Sequence, residues 1–371
     1  MKTKLLHLIK TDTILVVSGL LAAVSCFFVH PDKAYVDYIN YRVLAILFSL
    51  MLVVGAMRNI GTFDYLTEKL LSKIHSERII TLFLVILSFF LSMFLTNDVA
   101  LVTLVPFALL TLKAFGDRRR TVYTLILMTV GANLGSMLTP IGNPQNLYLY
   151  TEYNFTLPDF IKLTLPYTAA ALVLLIVSVF VLNRTDKTVD TASTTPVPRP
   201  SVPKFLICLA LFVVCLLTVA GILHYLIMLG ICTVIILVMD RRAFLKVDYA
   251  LLLTFVFFFI LIGNLGRIEA IKDALSSVVD QNVVLAAVLS SQVISNVPAA
   301  MLLSAFTTQG SALVVGVNLG GLGTLIASMA SLITYKFYAK ESRKGEHYIL
   351  KFTLISVIFL VPLYLLTLLL L

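Results

Sequence analysis

Charge is scarce in this chain. Only 13% of its 371 residues are Asp, Glu, Lys or Arg, against roughly 25% in soluble domains. Apolar residues make up 60%. A soluble globule cannot hide that much apolar surface, so the shortage of charge excludes one and leaves the bilayer as solvent. Cysteine is scarce too. Cys26, Cys208, Cys215 and Cys232 all fall inside apolar runs without metal-ligand spacing, which excludes a cysteine metal site and makes them small core residues. His7, His30, His75, His224 and His347 lie near span ends and do not cluster. There is no His-Glu-x-x-His, no Gly-x-Ser-x-Gly and no phosphate-binding loop. These absences argue against an intramembrane enzyme and against an ATP-driven pump. The formal net charge of +9 could suggest nucleic acid, but its distribution explains it better as membrane topology.

Full apolar spans are expected at 12–30, 41–58, 121–150, 160–182, 205–222, 224–239, 249–265, 311–338 and 349–371. The segment Leu21 to Cys26 faintly resembles a lipoprotein cleavage site, yet Ala23 fits it poorly, and 12–30 reads as an uncleaved first span. Two further apolar stretches fit badly as single spans. One, 79–112, is interrupted at Thr96-Asn97-Asp98; the other, 283–309, at Ser295-Asn296-Val297-Pro298. Each is expected to be a re-entrant hairpin of two short half-helices meeting at a polar tip. Charge supports this topology. With the N-terminus (Lys2, Lys4, Lys10) in the cytoplasm, the inside segments hold 23 Lys and Arg and the outside segments five. Treating 79–112 as one span would put Arg118, Arg119 and Arg120 outside, against the positive-inside rule. The expectation is a multi-pass protein of the inner (plasma) membrane with a cytoplasmic N-terminus and an external C-terminus.

The polar, Pro-rich stretch 183–203 reads as a cytoplasmic linker between residues 1–182 and 204–371. These two parts resemble each other. Gly131, Asn133, Leu134, Gly135, Thr139 and Ile141 recur as Gly316, Asn318, Leu319, Gly320, Thr324 and Ile326, 185 positions later in every case. Upstream, Thr96-Asn97 recurs as Ser295-Asn296, and Gly55 and Ile60 match Gly263 and Ile268. In the charge-derived topology the two hairpins enter from opposite sides. The fold class expected is therefore an all-α polytopic membrane protein of two inverted-topology repeats, each with a re-entrant hairpin (79–112 and 283–309) and an interrupted transmembrane helix (121–150 and 311–338).

Backbone broken at membrane depth survives only where it lines a cavity or is buried in protein, because each unpaired polar group costs several kcal/mol. At the first tip, Thr96 and Asn97 can coordinate a cation or donate to an anion, and the free carbonyls of the first arm suit Na⁺. Asn97 could instead simply cap the second arm. Asp98 is an intramembrane acid, read by default as an ion or proton site; a helix-capping carboxylate is the plainer alternative. Ser295 and Asn296 would face the first tip, with Pro298 in the first turn of its own second arm. Gly131 and Gly135 form a small-xxx-small pattern that is best read as packing. Thr139-Pro140-Ile141-Gly142-Asn143-Pro144 must break its helix, with Asn143 capping the restart. Gly320, Gly321 and Gly323 break the counterpart, which runs on to Ser328.

The two hairpins, the paired Asn tips, the segment GANLGSMLTPIGNPQN and its counterpart GVNLGGLGTLIAS resemble the ion transporter superfamily, over nearly the whole chain. That group includes the divalent anion:sodium symporters, the citrate-transporter-like proteins and the arsenite-efflux permeases. The resemblance implies a scaffold domain that often dimerises, here as a homodimer, and a transport domain that moves like an elevator. Members carrying di- and tricarboxylates have Ser-Asn-Thr at each tip; Asp98 and Val297 depart from it at the third position, and Asn-Asp with Asn-x-Pro is closer to the arsenite permeases. The expected function is ion-coupled secondary transport of a small anion, a di- or tricarboxylate or an oxyanion such as arsenite. The expected site is Thr96, Asn97, Asp98, Thr139, Gly142, Asn143, Ser295, Asn296, Thr324 and Ser328, with a Na⁺ place near Asn97, Asp98 and Asn296. Na⁺ or H⁺ would couple transport, and no other cofactor and no nucleic acid is expected. A Na⁺/H⁺ antiporter using Asp98 is the alternative, and a passive channel is a third class.

Overall fold

The computed structural model describes residues 13–71, 76–113, 115–182, 199–341 and 347–371. The basic N-terminal residues and most of the expected linker lie outside this set. Among the described residues the chain is helical throughout. Six helices are long and apolar enough to cross a membrane, so the protein is a multi-pass membrane protein.

The first part opens with α1 (Thr13–Phe28), a short α2 (Ala34–Tyr38) and α3 (Tyr41–Asn59). An amphipathic α4 (Thr62–Leu71) follows, then α5 (Glu77–Leu95), α6 (Asn97–Lys113), α7 (Arg118–Ser136), α8 (Pro144–Glu152) and α9 (Leu157–Leu182). The second part has α10 (Val202–Val219), α11 (Tyr225–Met239), a 3₁₀ turn (Arg241–Lys246) and α12 (Tyr249–Gly266). An amphipathic α13 (Glu269–Val279) precedes α14 (Val283–Ile294), α15 (Asn296–Ser304) and α16 (Gly310–Gly320). A 3₁₀ turn (Leu325–Ala327), α17 (Met329–Glu341) and α18 (Tyr348–Leu370) complete the chain. The succession of long helix, amphipathic helix, hairpin, broken helix and final helix thus occurs twice, as α3–α9 and α12–α18.

Local sequence sets many of these boundaries. Asn40, Ser76, Asp117, Asp248 and Asn282 each accept a backbone N–H three residues on, capping α3, α5, α7, α12 and α14. Asn143 caps α8 by accepting from Asn146 N at 2.9 Å, with Pro144 at the first helical position, as the motif predicts.

Both hairpins form, but their arms differ in length. The arms of the second are 12 and 9 residues. The first arm of the first hairpin is not short: it runs 19 residues, and its partner 17. The first arm begins two residues before the apolar run that starts at 79. Glu77 is 1% exposed and pairs with Arg120 of α7, which lets a charged first turn pack inward and lengthens the helix beyond its apolar run. The arms pack on each other, and α5 packs along α7.

The small-residue pattern is a packing device, as read from sequence. A Cβ on Gly135 would lie 2.0 Å from the Phe89 carbonyl oxygen, so α7 and α5 touch backbone to backbone there. At its counterpart Gly320 a Cβ would meet the side-chain oxygen of Ser291 on α14 at 2.5 Å. The buried side chains form two cores. One spans α3, α8, α10–α12, α15 and α16; the other gathers α5–α7, α9, α17 and α18.

Candidate functional site

The chain turns between the hairpin arms at Thr96 and Ser295. Thr96 has φ 76° and ψ 147°, Ser295 φ 72° and ψ 154°. This region is essentially reserved for glycine and costs about 1–3 kcal/mol for other residues. The two tips store the same strain, and in each the next residue, Asn97 or Asn296, begins the second arm. Each is also held by the same hook. Thr139 Oγ1 donates to the carbonyl of Met93, and Thr324 Oγ1 to the carbonyl of Gln292 at 3.4 Å, each three residues before its tip. These two threonines, expected to face a ligand, therefore bond the hairpins.

The first tip is the better capped. Asn97 N donates to Gly142 O at 3.1 Å, Asp98 N to Asn97 Oδ1 at 2.9 Å, and Val99 N to Thr96 Oγ1 at 3.5 Å. Gly142 admits no side chain, since a Cβ would sit 2.1 Å from Ser136 O. At the second tip Ser295 makes no side-chain cap; its Oγ donates instead to Ala327 O at 3.4 Å. The Asn296 amide is 4% exposed, has no hydrogen-bond partner among the described residues and lies against Gly321.

Asparagines join the two parts of the chain. Asn133 Oδ1 accepts from Asn97 Nδ2 at 2.9 Å and from Ser328 Oγ at 3.0 Å, while Asn133 Nδ2 reaches Gly321 O at 3.4 Å. Asn143 Nδ2 donates to Asn318 Oδ1 at 3.1 Å and to Ser136 Oγ at 3.0 Å. Asn318 Nδ2 passes on to Asn146 Oδ1 at 2.6 Å. Sequence reasoning found Asn133 and Asn318 as repeat partners but did not place them in the site, and it missed Asn146 and Gln292. Asparagine recurring inside an apolar, glycine-spaced helix is the signal that could have found the first two.

Asp98 caps nothing. Among the described residues its carboxylate accepts no hydrogen bond, and Oδ1 is buried without a partner. It lines a cavity of about 230 Å³ together with Thr96 and Asn143. Arg58 of α3, Lys246 of the 3₁₀ turn and Asp248 at the start of α12 line the same cavity, and sequence reasoning did not place them in the site. Ser295, Asn296, Thr324 and Ser328 are not in its lining. Thr324 bonds Gln292, Asn296 lies against Gly321, and Ser328 and Gly321 both bond Asn133. No group of three or more His, Cys, Asp or Glu that could hold a metal exists among the described residues.

The strained turns give a direct expectation. Replacing Thr96 with Gly removes a weak 3.5 Å bond and about 1–3 kcal/mol of strain. Thermal melting in detergent should show the variant as stable as the parent or more so. A transport defect in that stable variant would assign the hydroxyl to the ligand.

Comparison with known proteins agrees with this architecture. The chain is 35% identical over 324 residues to the uncharacterised transporter MJ0456 of Methanocaldococcus jannaschii, covering 86% of each protein. It is 33% identical over 317 residues to the inner membrane protein YbiR of Escherichia coli, covering 84% of each. A shorter stretch, 151 residues, is 33% identical to the silicon efflux transporter LSI3 of Oryza sativa, covering 40% of this chain and 30% of that one. The citrate transporter family model (CitMHS) matches residues 5–312. A match of that extent, around a site of amides and hydroxyls that carries no enzyme motif, makes the chain a transporter belonging to the CitMHS citrate transporter family.

Proposed function

We propose that this transporter moves a small anion across the inner membrane, a di- or tricarboxylate or an oxyanion such as arsenite, coupled to Na⁺ or H⁺. The observation that carries the reading is the pair of tips: two hairpins with the same strained turn and the same Asn start, the first beside a cavity that holds an unpartnered carboxylate oxygen. The two parts act as inverted repeats. The N-terminus and the 183–203 linker are cytoplasmic, and the C-terminus is external. The hairpins and broken helices form a unit that moves like an elevator against a framework around α3 and α10–α12, and the framework dimerises. Asp98 carries the coupling ion; its free oxygen suits Na⁺ or a proton, and loading it lowers the charge an incoming anion meets.

The test uses purified protein in liposomes. Charge movement is recorded on adding citrate, succinate, sulfate or arsenite, each with and without a Na⁺ or proton gradient. A response to one anion that is lost in Asn97→Ala and Asn296→Ala supports the reading and identifies the coupling ion. The unpartnered Asp98 oxygen also favours a second reading, cation/proton antiport with no anion. Silence to every anion with a response to Na⁺ or pH alone would establish that one instead. Flux that never follows a second ion's gradient would indicate a passive channel.

A further inference from the structure

The cavity beside Asp98 has a mixed lining. The tip side offers Thr96, Asp98 and Asn143. The rest of the lining includes α3, the 3₁₀ turn and the start of α12, and it carries Arg58 and Lys246 together with Asp248. These two elements are locked together: the Lys246 Cβ lies 3.0 Å from the place of a Gly55 Cβ, so the lysine stem leaves from the point where the turn crosses α3. Arg58 is partly buried and Lys246 exposed, so the wall runs from solvent inward.

Neither cation is consumed. Among the described residues neither forms a salt bridge, although Asp98 and Asp248 line the same cavity. Asp248 is partly engaged, its Oδ1 accepting from Leu251 N at 2.9 Å. Asp64 on α4 is the remaining acid that acts on Arg58. The lining side chains from α17 and the broken helix, Met329, Ile333, Ile141 and Asn143, carry no charge. A guanidinium and an ammonium free of salt bridges among the described residues, on the same lining, draw anions to their part of a confined space. The guanidinium fork also matches a carboxylate or oxyanion in geometry.

We propose that Arg58 and Lys246 are the framework half of the anion site: they draw a small carboxylate or oxyanion from the cytoplasmic side and hold it until the tip takes it. This inference rests on the reading that the cargo is an anion. The contact belongs to the fixed framework, so it acts from one side of the membrane only.

A thiol placed in the cavity tests it without knowledge of the substrate. Val102→Cys, in a version lacking the four native cysteines, is exposed in inside-out vesicles to two methanethiosulfonates, one bearing a sulfonate and one a trimethylammonium. The sulfonate should react faster. Arg58→Gln with Lys246→Gln should lower the sulfonate-to-ammonium rate ratio by roughly tenfold, and Arg58→Lys with Lys246→Arg should restore it. An unchanged ratio overturns the proposal, and so does a thiol that reacts only from outside. In liposomes, Arg58→Gln should raise the half-saturating concentration of citrate or arsenite on the cytoplasmic side alone; an equal rise on both sides also overturns it. If the parent protein moves neither anion, the anion reading itself fails, while the rate ratio still judges whether the wall gathers negative charge.

Discussion

Replacing Asp98 with Asn should abolish gradient-driven accumulation of substrate while leaving the protein folded. A carboxylate at membrane depth costs at least roughly 2.5 kcal/mol, and Asp98 recovers none of this through hydrogen bonds among the described residues. An amide of the same shape removes that cost, so the variant should melt no lower than the parent, and by up to roughly 3 kcal/mol higher in stability. It also removes the exchangeable charge. Uphill transport should fall to the equilibrated level, and any remaining flux should no longer respond to a Na⁺ or proton gradient. Radiolabelled uptake with and without each gradient checks this. Coupled flux equal to that of the parent would remove Asp98 from the mechanism.

Gly135→Ala should be strongly destabilising. The added Cβ would sit 2.0 Å from the Phe89 carbonyl oxygen and 2.9 Å from its Cα. Those are backbone atoms, so no rotamer change relieves the clash, and α5 must part from α7. Overpacking of this kind costs roughly 1–3 kcal/mol, more when backbone must move. A sharp fall in melting temperature and in yield is expected. Gly230→Ala on α11 is the matched control: no atom lies within 4 Å of its Cβ position. There alanine should be neutral or stabilise by about 0.4–1 kcal/mol, because it restricts the unfolded chain. Equal melting of the two variants would refute the backbone contact.

These two cases also mark what the sequence could reveal. The breaks at Thr96 and Ser295, the cap at Asn143 and the packing role of Gly135 were legible because each is written in neighbouring residues: polar groups inside apolar runs, Pro beside Asn, small residues one helical turn apart. The start of the first arm two residues before its apolar run was not. Its cause, Glu77 buried against Arg120, joins residues 43 positions apart. The same limit hid the cavity wall, since Arg58 and Lys246 look like ordinary positive-inside residues until α3 and the 3₁₀ turn cross. It also hid the bonds that Thr139 and Thr324 make to the hairpins, because only the folded chain shows which hydroxyl already has a carbonyl to hold.

The asparagine relay has a fixed direction. Asn146 Nδ2 faces three backbone carbonyls, those of Ser136, Met137 and Thr139, at 3.1–3.2 Å. Carbonyls only accept, so this amide cannot turn over. Its oxygen must then receive from Asn318, whose oxygen must receive from Asn143. Gly321 O pins Asn133 in the same manner, and Asn133 pins Asn97. Every amide in the relay has one permitted orientation, dictated from its far end by backbone carbonyls. The interior is thus a poled dielectric: its dipoles are set during folding and stay set, and an arriving ion finds them already aligned.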